Sequence, residues 1–234
     1  MKHGSIPNAT VFYVPPLRRP MYCGVDEAGR GSVMGPLVVG AVFTESDDVL
    51  LEIGVKDSKK LTPRRREAMY GEITSSVPGW SVEIVSAEDI DRLRKTMTLN
   101  EIEMDMFKSA VTRYPTKKVI ADCPDVNEAG FSARFRTMLP PETNVTAKHK
   151  ADDTYPVVSA ASIVAKVTRD RMMEDIRAEF GTDVGSGYPS DHYTMEFIGD
   201  WIKENGKAPP HVRCSWEPVR AMLSMRAVRK ISDW

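Results

Sequence analysis

The stretch YCGVDEAGRGSVMGPLVVGAVF, Tyr22 to Phe43, is apolar on both sides of two adjacent carboxylates, Asp26 and Glu27, and Gly-Arg-Gly follows them before the apolar sequence resumes. Burying an ionised carboxylate is costly unless a cation compensates it, so the segment predicts two core strands with a charged site at the end of the first. In a regular strand the two acids point to opposite faces. The glycines at 29 and 31 predict instead that the strand ends near Asp26, which would let both acids reach one rim.

Further strands are predicted at Ser81 to Val85, at Lys118 to Cys123 (KKVIADC) and at Asn144 to Lys148 (NVTAK). Helices are predicted at Pro63 to Ser75, where Thr62 suits a cap, and from Leu99 to about Val111. A long helix starts at Pro156, with Val157, Ala160, Ala161, Val164, Ala165, Thr168, Met172 and Ile176 on one stripe. Patterns at Asp191 to Glu204 and Trp216 to Arg229 predict a helical appendage. Strands alternating with helices make the chain α/β. With 234 residues it can hold one main domain with a small addition: a leader at 1–20, a main domain at 21–180 and a helical portion at 181–234.

No apolar run approaches the roughly 20 residues a bilayer requires, which excludes a spanning helix. The first 20 residues are broken by prolines and have no continuous apolar core, so a signal peptide is not expected and a cytoplasmic protein is. Cys23, Cys123 and Cys214 are odd in number and lack CxxC spacing, which supports neither a disulfide framework nor a zinc site. The net charge of -1 hides local basic segments: VKDSKKLTPRRR holds six basic residues against one acid, and a second run from Arg213 to Lys230 includes Arg220, Arg226 and Arg229. Such stripes suit phosphate binding, and they equally suit solvated faces.

Two more acids complete a candidate constellation. Asp122 ends the KKVIADC strand, where α/β sheets place their sites, and Asp152 stands just before the long helix. Oxygen ligands of this kind are what magnesium and manganese favour. Taken singly, Asp152 with Asp153 and Thr154 also reads as a helix cap, and Asp122 as a turn residue before Pro124.

GVDEAGRG (24–31) followed by MGPLVVGAV, KDSKKL (56–61), IADCPD (120–125), KADDTYPVVSAASIVAKVTRD (150–170), GSGYPSD (185–191) and Ser215-Trp216 occur in an order that resembles the ribonuclease HII family. The resemblance runs from about Tyr22 to Arg220. It implies a ribonuclease H-like fold, a mixed five-stranded sheet flanked by helices with a C-terminal helical appendage. It also implies a metal-dependent endonuclease that cuts the RNA strand of RNA/DNA hybrids. Such enzymes also nick 5' of single ribonucleotides in duplex DNA, leaving 3'-hydroxyl and 5'-phosphate ends, which serves ribonucleotide excision repair and primer removal.

By motif position, Asp26, Glu27, Asp122 and Asp152 would be the catalytic metal ligands for two Mg2+ or Mn2+ ions; the acid directly after Lys-Ala is Asp152, not Asp153. Gly29, Arg30 and Gly31 would read the ribose 2'-hydroxyl with Tyr188, and Lys59 and Lys60 would contact phosphates. From the residues alone, Tyr188 can be a loop anchor and the lysines solvent-facing. Lys166 is expected along that helix within reach of a phosphate, whereas Ser159 and Ser162 have no neighbouring His to make a nucleophile and suit close helix packing. None of the four histidines has metal-ligand spacing. A different ribonuclease H-fold nuclease would lack GRG, DSKKL and the serine-containing helix, and an inactive nucleic-acid scaffold would not need the acids. No sliding-clamp peptide is evident after Ile231, and without a coiled-coil pattern a monomer is expected.

Overall fold

A computed structural model of the chain describes residues 21–55 and 61–232, with side chains through Met225. The leader at 1–20 and the lysines at 59 and 60 lie outside the described residues. Five strands, β1 (Met21–Ala28), β2 (Leu37–Thr44), β3 (Gly79–Val85), β4 (Thr116–Asp122) and β5 (Asn144–Lys148), form one mixed sheet ordered β3-β2-β1-β4-β5. β2 is antiparallel to β1, while β4 is parallel to β1 and β5 parallel to β4. The described helices are α1 (Asp48–Ile53), α2 (Pro63–Ser76), α3 (Ala87–Leu93), α4 (Leu99–Val111), α5 (Glu128–Thr137), α6 (Ala151–Thr154), α7 (Pro156–Phe180), α8 (His192–Asn205) and α9 (Glu217–Ser232). No helix among the described residues is long and apolar enough to cross a membrane.

Local chemistry sets several of these boundaries. Thr62 accepts a hydrogen bond from the Arg65 amide at the start of α2, where Pro63 needs no donor. α8 is capped by Asp191 at one end and closed by left-handed Gly206 at the other. β1, in contrast, does not stop at its acids. Asp26 pairs with Gly40, Glu27 with Val39 and Ala28 with Val38, because β2 supplies a ladder partner for each of these residues.

The chain divides into two compact units: the described residues of Met1–Ala28 with Val38–Ile84 and Leu99–Thr168, and a second unit of Gly29–Leu37, Val85–Thr98 and Arg169–Trp234. The boundary expected after residue 180 therefore falls inside the second unit. That unit's core draws Val33 and Met34 together with Met173, Ile176, Val184, Ile198, Ile202, Val212 and Val219, so residues far apart in sequence are needed to close it.

In the first unit α7 lies against the sheet with no room for side chains at two glycines. A Cβ on Gly24 would come within 2.3 Å of the Val157 carbonyl oxygen, and one on Gly40 within 2.5 Å of that of Ala161. The helix is buried well beyond its expected stripe: Val158, Ser159, Ser162, Ile163 and Val167 are also inside. The reason is a second layer, in which Leu50, Val55, Met69 and Ile73 pack into the same cluster. Ser159 fits this burial because its hydroxyl donates to the Val55 carbonyl at 2.5 Å. In the second unit the buried methionine is Met173 rather than Met172. α4 packs against β1 and α5 against β5, and Phe107, Phe131 and Phe135 join the two helices with ring centroids 6.0 to 6.1 Å apart.

Candidate active site

Two of the four predicted acids, Asp26 and Asp122, share one face of the sheet, and a third, Asp152, lies on α6 close enough to act on the charge of Asp26. Gly24 faces α7, and a strand period of two puts Asp26 on that face as well; Gly40, opposite Asp26 in the ladder, also meets α7. Ile120 packs in the α7 cluster, so Asp122, two residues on, points the same way. The β1/β4 register ends at Val25 against Ala121, which makes Asp26 and Asp122 the next residue on each strand. Asp122 Oδ1 accepts the Ala151 amide at 2.6 Å. That contact is made possible by Lys150, whose left-handed backbone (φ 53, ψ 40) turns the chain into α6. Asp152 is buried on α6, whereas Asp153 is exposed.

Glu27 is different. β1 stays regular through Ala28, so the expected ending of the strand near Asp26 does not occur, and Glu27, one residue before the strand's last, leaves the backbone on the face opposite to that of Asp26. Its amide donates to Asp26 Oδ1 at 2.8 Å. Among the described residues no group of three or more His, Cys, Asp or Glu side chains is placed to hold a metal ion. The donor chemistry nonetheless fits a hard divalent cation, since every ligand offered is a carboxylate oxygen and the central one is buried.

Burial is the largest influence on Asp26, 5% exposed, and it pushes the carboxyl above its ordinary value. The Ser162 hydroxyl, the Lys166 ammonium and the Glu27 amide pull it back down, and Asp152 pushes it up. Lys166 Nζ donates to Ser162 Oγ at 2.8 Å, so these two residues, one helical turn apart, present a cation and a hydroxyl to the acid. Packing alone had been the expected role of Ser162, and a phosphate that of Lys166. Their i,i+4 spacing was visible in the sequence, but not the strand they would face.

In the second unit Gly29 has φ +85, and a Cβ there would meet both the Pro36 carbonyl oxygen and Arg169 Nε at 2.5 Å. Gly31 is exposed and has nothing within 4 Å of its would-be Cβ. The Tyr188 hydroxyl accepts the Gly29 amide at 3.2 Å, and the Arg169 guanidinium lies over the Tyr188 ring, 4.8 Å from its centroid. Arg169 donates to the carbonyls of Met34 and Ser186. Arg213, placed by its sequence in a basic stripe, is wholly buried instead and binds backbone carbonyls of the glycine loop. Neither arginine was singled out by sequence reasoning, because a cation inside a core has no periodic signature.

A mixed five-stranded sheet in this order, with carboxylates at the ends of its paired central strands and on the short helix beside them, defines the ribonuclease H-like class of α/β nucleases. The family model for ribonuclease HII matches residues 23–219. Ribonuclease HII of Methanospirillum hungatei JF-1 is 42% identical over 214 residues, covering 92% of this chain and all of that protein. The crystal structure of ribonuclease H2 from Pyrococcus horikoshii OT3 superposes with a TM-score of 0.82 at 40% identity, covering 88% of this chain and 98% of that one. The ribonuclease HII of Archaeoglobus fulgidus, solved in complex with PCNA, gives a TM-score of 0.80 at 40% identity, covering 86% and 96%. The chain belongs to the ribonuclease HII family, and so is a nuclease of the ribonuclease H type.

Proposed function

We propose that this chain hydrolyses the RNA strand of RNA/DNA hybrids and nicks duplex DNA on the 5' side of single embedded ribonucleotides, leaving 3'-hydroxyl and 5'-phosphate ends. Ribonucleotide excision repair and primer removal are the processes this activity serves. The observation that carries the reading is the buried Asp26 carboxylate, set on the α7 face with Asp122 and electrostatically linked to Asp152. Asp26, Glu27, Asp122 and Asp152 would hold two divalent ions, Mg2+ or Mn2+. Bound there, such ions supply an activated water and offset charge on the attacking and leaving oxygens. The chain's own part is to keep the acids dry and oriented: Ser162 and Lys166 hold Asp26, and the Ala151 amide holds Asp122.

Gly29, Arg30 and Gly31 read the ribose 2'-hydroxyl, with Tyr188 stacking on the sugar. Support comes from Gly31, whose missing side chain nothing in the protein's own packing requires, so the space suits an incoming nucleotide. Lys59 and Lys60 contact backbone phosphates in this reading. The protein acts as a cytoplasmic monomer, and light scattering at a dimer mass would overturn the second part. A sliding-clamp contact has support only from the Archaeoglobus complex.

Cleavage of a labelled DNA duplex carrying one ribonucleotide, assayed with magnesium, with manganese and with chelator, tests the whole. A metal-dependent cut 5' of the ribonucleotide is expected. Cleavage of a long hybrid alone would sink the junction-specific part, and no cleavage of either would leave an inactive nucleic-acid scaffold.

A further inference from the structure

The loop proposed to read the 2'-hydroxyl is built on a buried cation. Residues 33–35 and 211–213 run side by side: Met34 bridges Val212, the Gly35 amide donates to the His211 carbonyl, and the Arg213 amide donates to the Val33 carbonyl, the last two at 2.8 Å. From this short ladder the Arg213 side chain reaches back, 0% exposed, across the base of the loop. Its Nε and Nη2 donate to the Gly35 carbonyl at 3.2 and 3.0 Å, and its Nη1 to the Arg30 carbonyl at 3.0 Å. The face of Trp216 lies beneath the guanidinium, 5.0 Å from ring centroid to carbon. One rigid fork thus ties together the two ends of the segment 30–35.

The consequence for the reading loop follows from peptide planarity. The Arg30 carbonyl and the Gly31 amide belong to one trans peptide plane and point in opposite directions, so fixing the first aims the second. Arg213 pulls the carbonyl inward, and Gly31 on the other side of that plane is exposed, with open space around its α-carbon. We infer that Arg213 is a positioning residue for ribonucleotide selectivity: by holding the Arg30 carbonyl and the Gly35 carbonyl with one guanidinium, it orients the Arg30–Gly31 peptide toward the ribose 2'-hydroxyl. Lysine cannot substitute. Its donors radiate from one nitrogen and cannot span both carbonyls as a planar fork does. The inference rests on the proposed reading role of Gly29, Arg30 and Gly31.

The test compares wild type with Arg213→Lys and Arg213→Met by fluorescence anisotropy. Each is titrated, in chelator, onto one labelled DNA duplex and onto the same duplex with a single ribonucleotide. Wild type is expected to bind the ribonucleotide duplex more tightly. In both variants that preference should fall by about tenfold or to nothing, the size of one hydrogen bond to the ribose, while affinity for the all-DNA duplex is unchanged. General damage would weaken both duplexes together. Near-UV circular dichroism of the tryptophans checks the fold, and if the methionine variant fails it, the lysine variant carries the comparison. A preference retained in a folded variant overturns the role of Arg213. Absence of any preference in wild type overturns the 2'-hydroxyl reading itself, and this inference with it.

Discussion

Asp26 sits where its own charge is disfavoured, and this has a measurable signature. Its carboxyl is raised by burial above the ordinary 3.8. Between that value and the raised one the native state holds a proton that the unfolded chain has released, so stability is lost as pH climbs through the window. Asp26→Asn removes the penalty. In chelator the variant should be more stable than wild type at neutral pH, with the difference vanishing below 3.8; urea midpoints at several pH values measure it. A variant less stable than wild type at neutral pH would mean that Lys166 and Ser162 outweigh desolvation. Asp122 is the complementary case, a ligand in the proposed site tied to the Ala151 amide. Asp122→Asn should abolish cleavage while duplex affinity changes by no more than about twofold, because phosphate contacts dominate that affinity. Binding and cleavage lost in parallel would make the residue structural.

Among the elements, α7 depends on two glycines in strands it covers. Gly40→Ala would drive a methyl group to 2.5 Å from the Ala161 carbonyl and 2.8 Å from the Ala165 amide. Neither backbone can yield without moving the helix, so a loss of about 1–3 kcal/mol or more is expected in denaturant unfolding. An unchanged midpoint would show that α7 can shift freely on the sheet. All five strands were legible as apolar runs bounded by turn residues. Four helices were not: α1, α3, α5 and α6 are short, and each buries only one or two apolar residues, such as Leu50, or Phe131 with Phe135. So brief a pattern is lost among their charged positions. The missing end of β1 had another cause: the glycines at 29 and 31 signalled a break, but ladder pairing with β2 carried the strand on to Ala28.

For the molecule as a whole, the second unit closes its core with residues from separate stretches. Val33 and Met34 belong to the segment between β1 and β2, and their partners to residues 173–219. A fragment spanning 169–234 should therefore show no cooperative thermal transition, whereas the full chain should. Cooperative melting of the fragment, followed by circular dichroism, would show that the helical part stands alone. By itself the sequence determined the strands, the long helix and the pair of acids set inside an apolar run, because apolar periodicity and an acid pair inside it are local patterns that need no partner to be seen. Tertiary structure alone decided which acids share a face, that Ser162 and Lys166 serve Asp26, and that Arg213 lies inside rather than along a phosphate-binding surface. Each of those depends on strand register or on a contact across more than a hundred residues, and burial of a charge is settled only by what the rest of the chain brings to it.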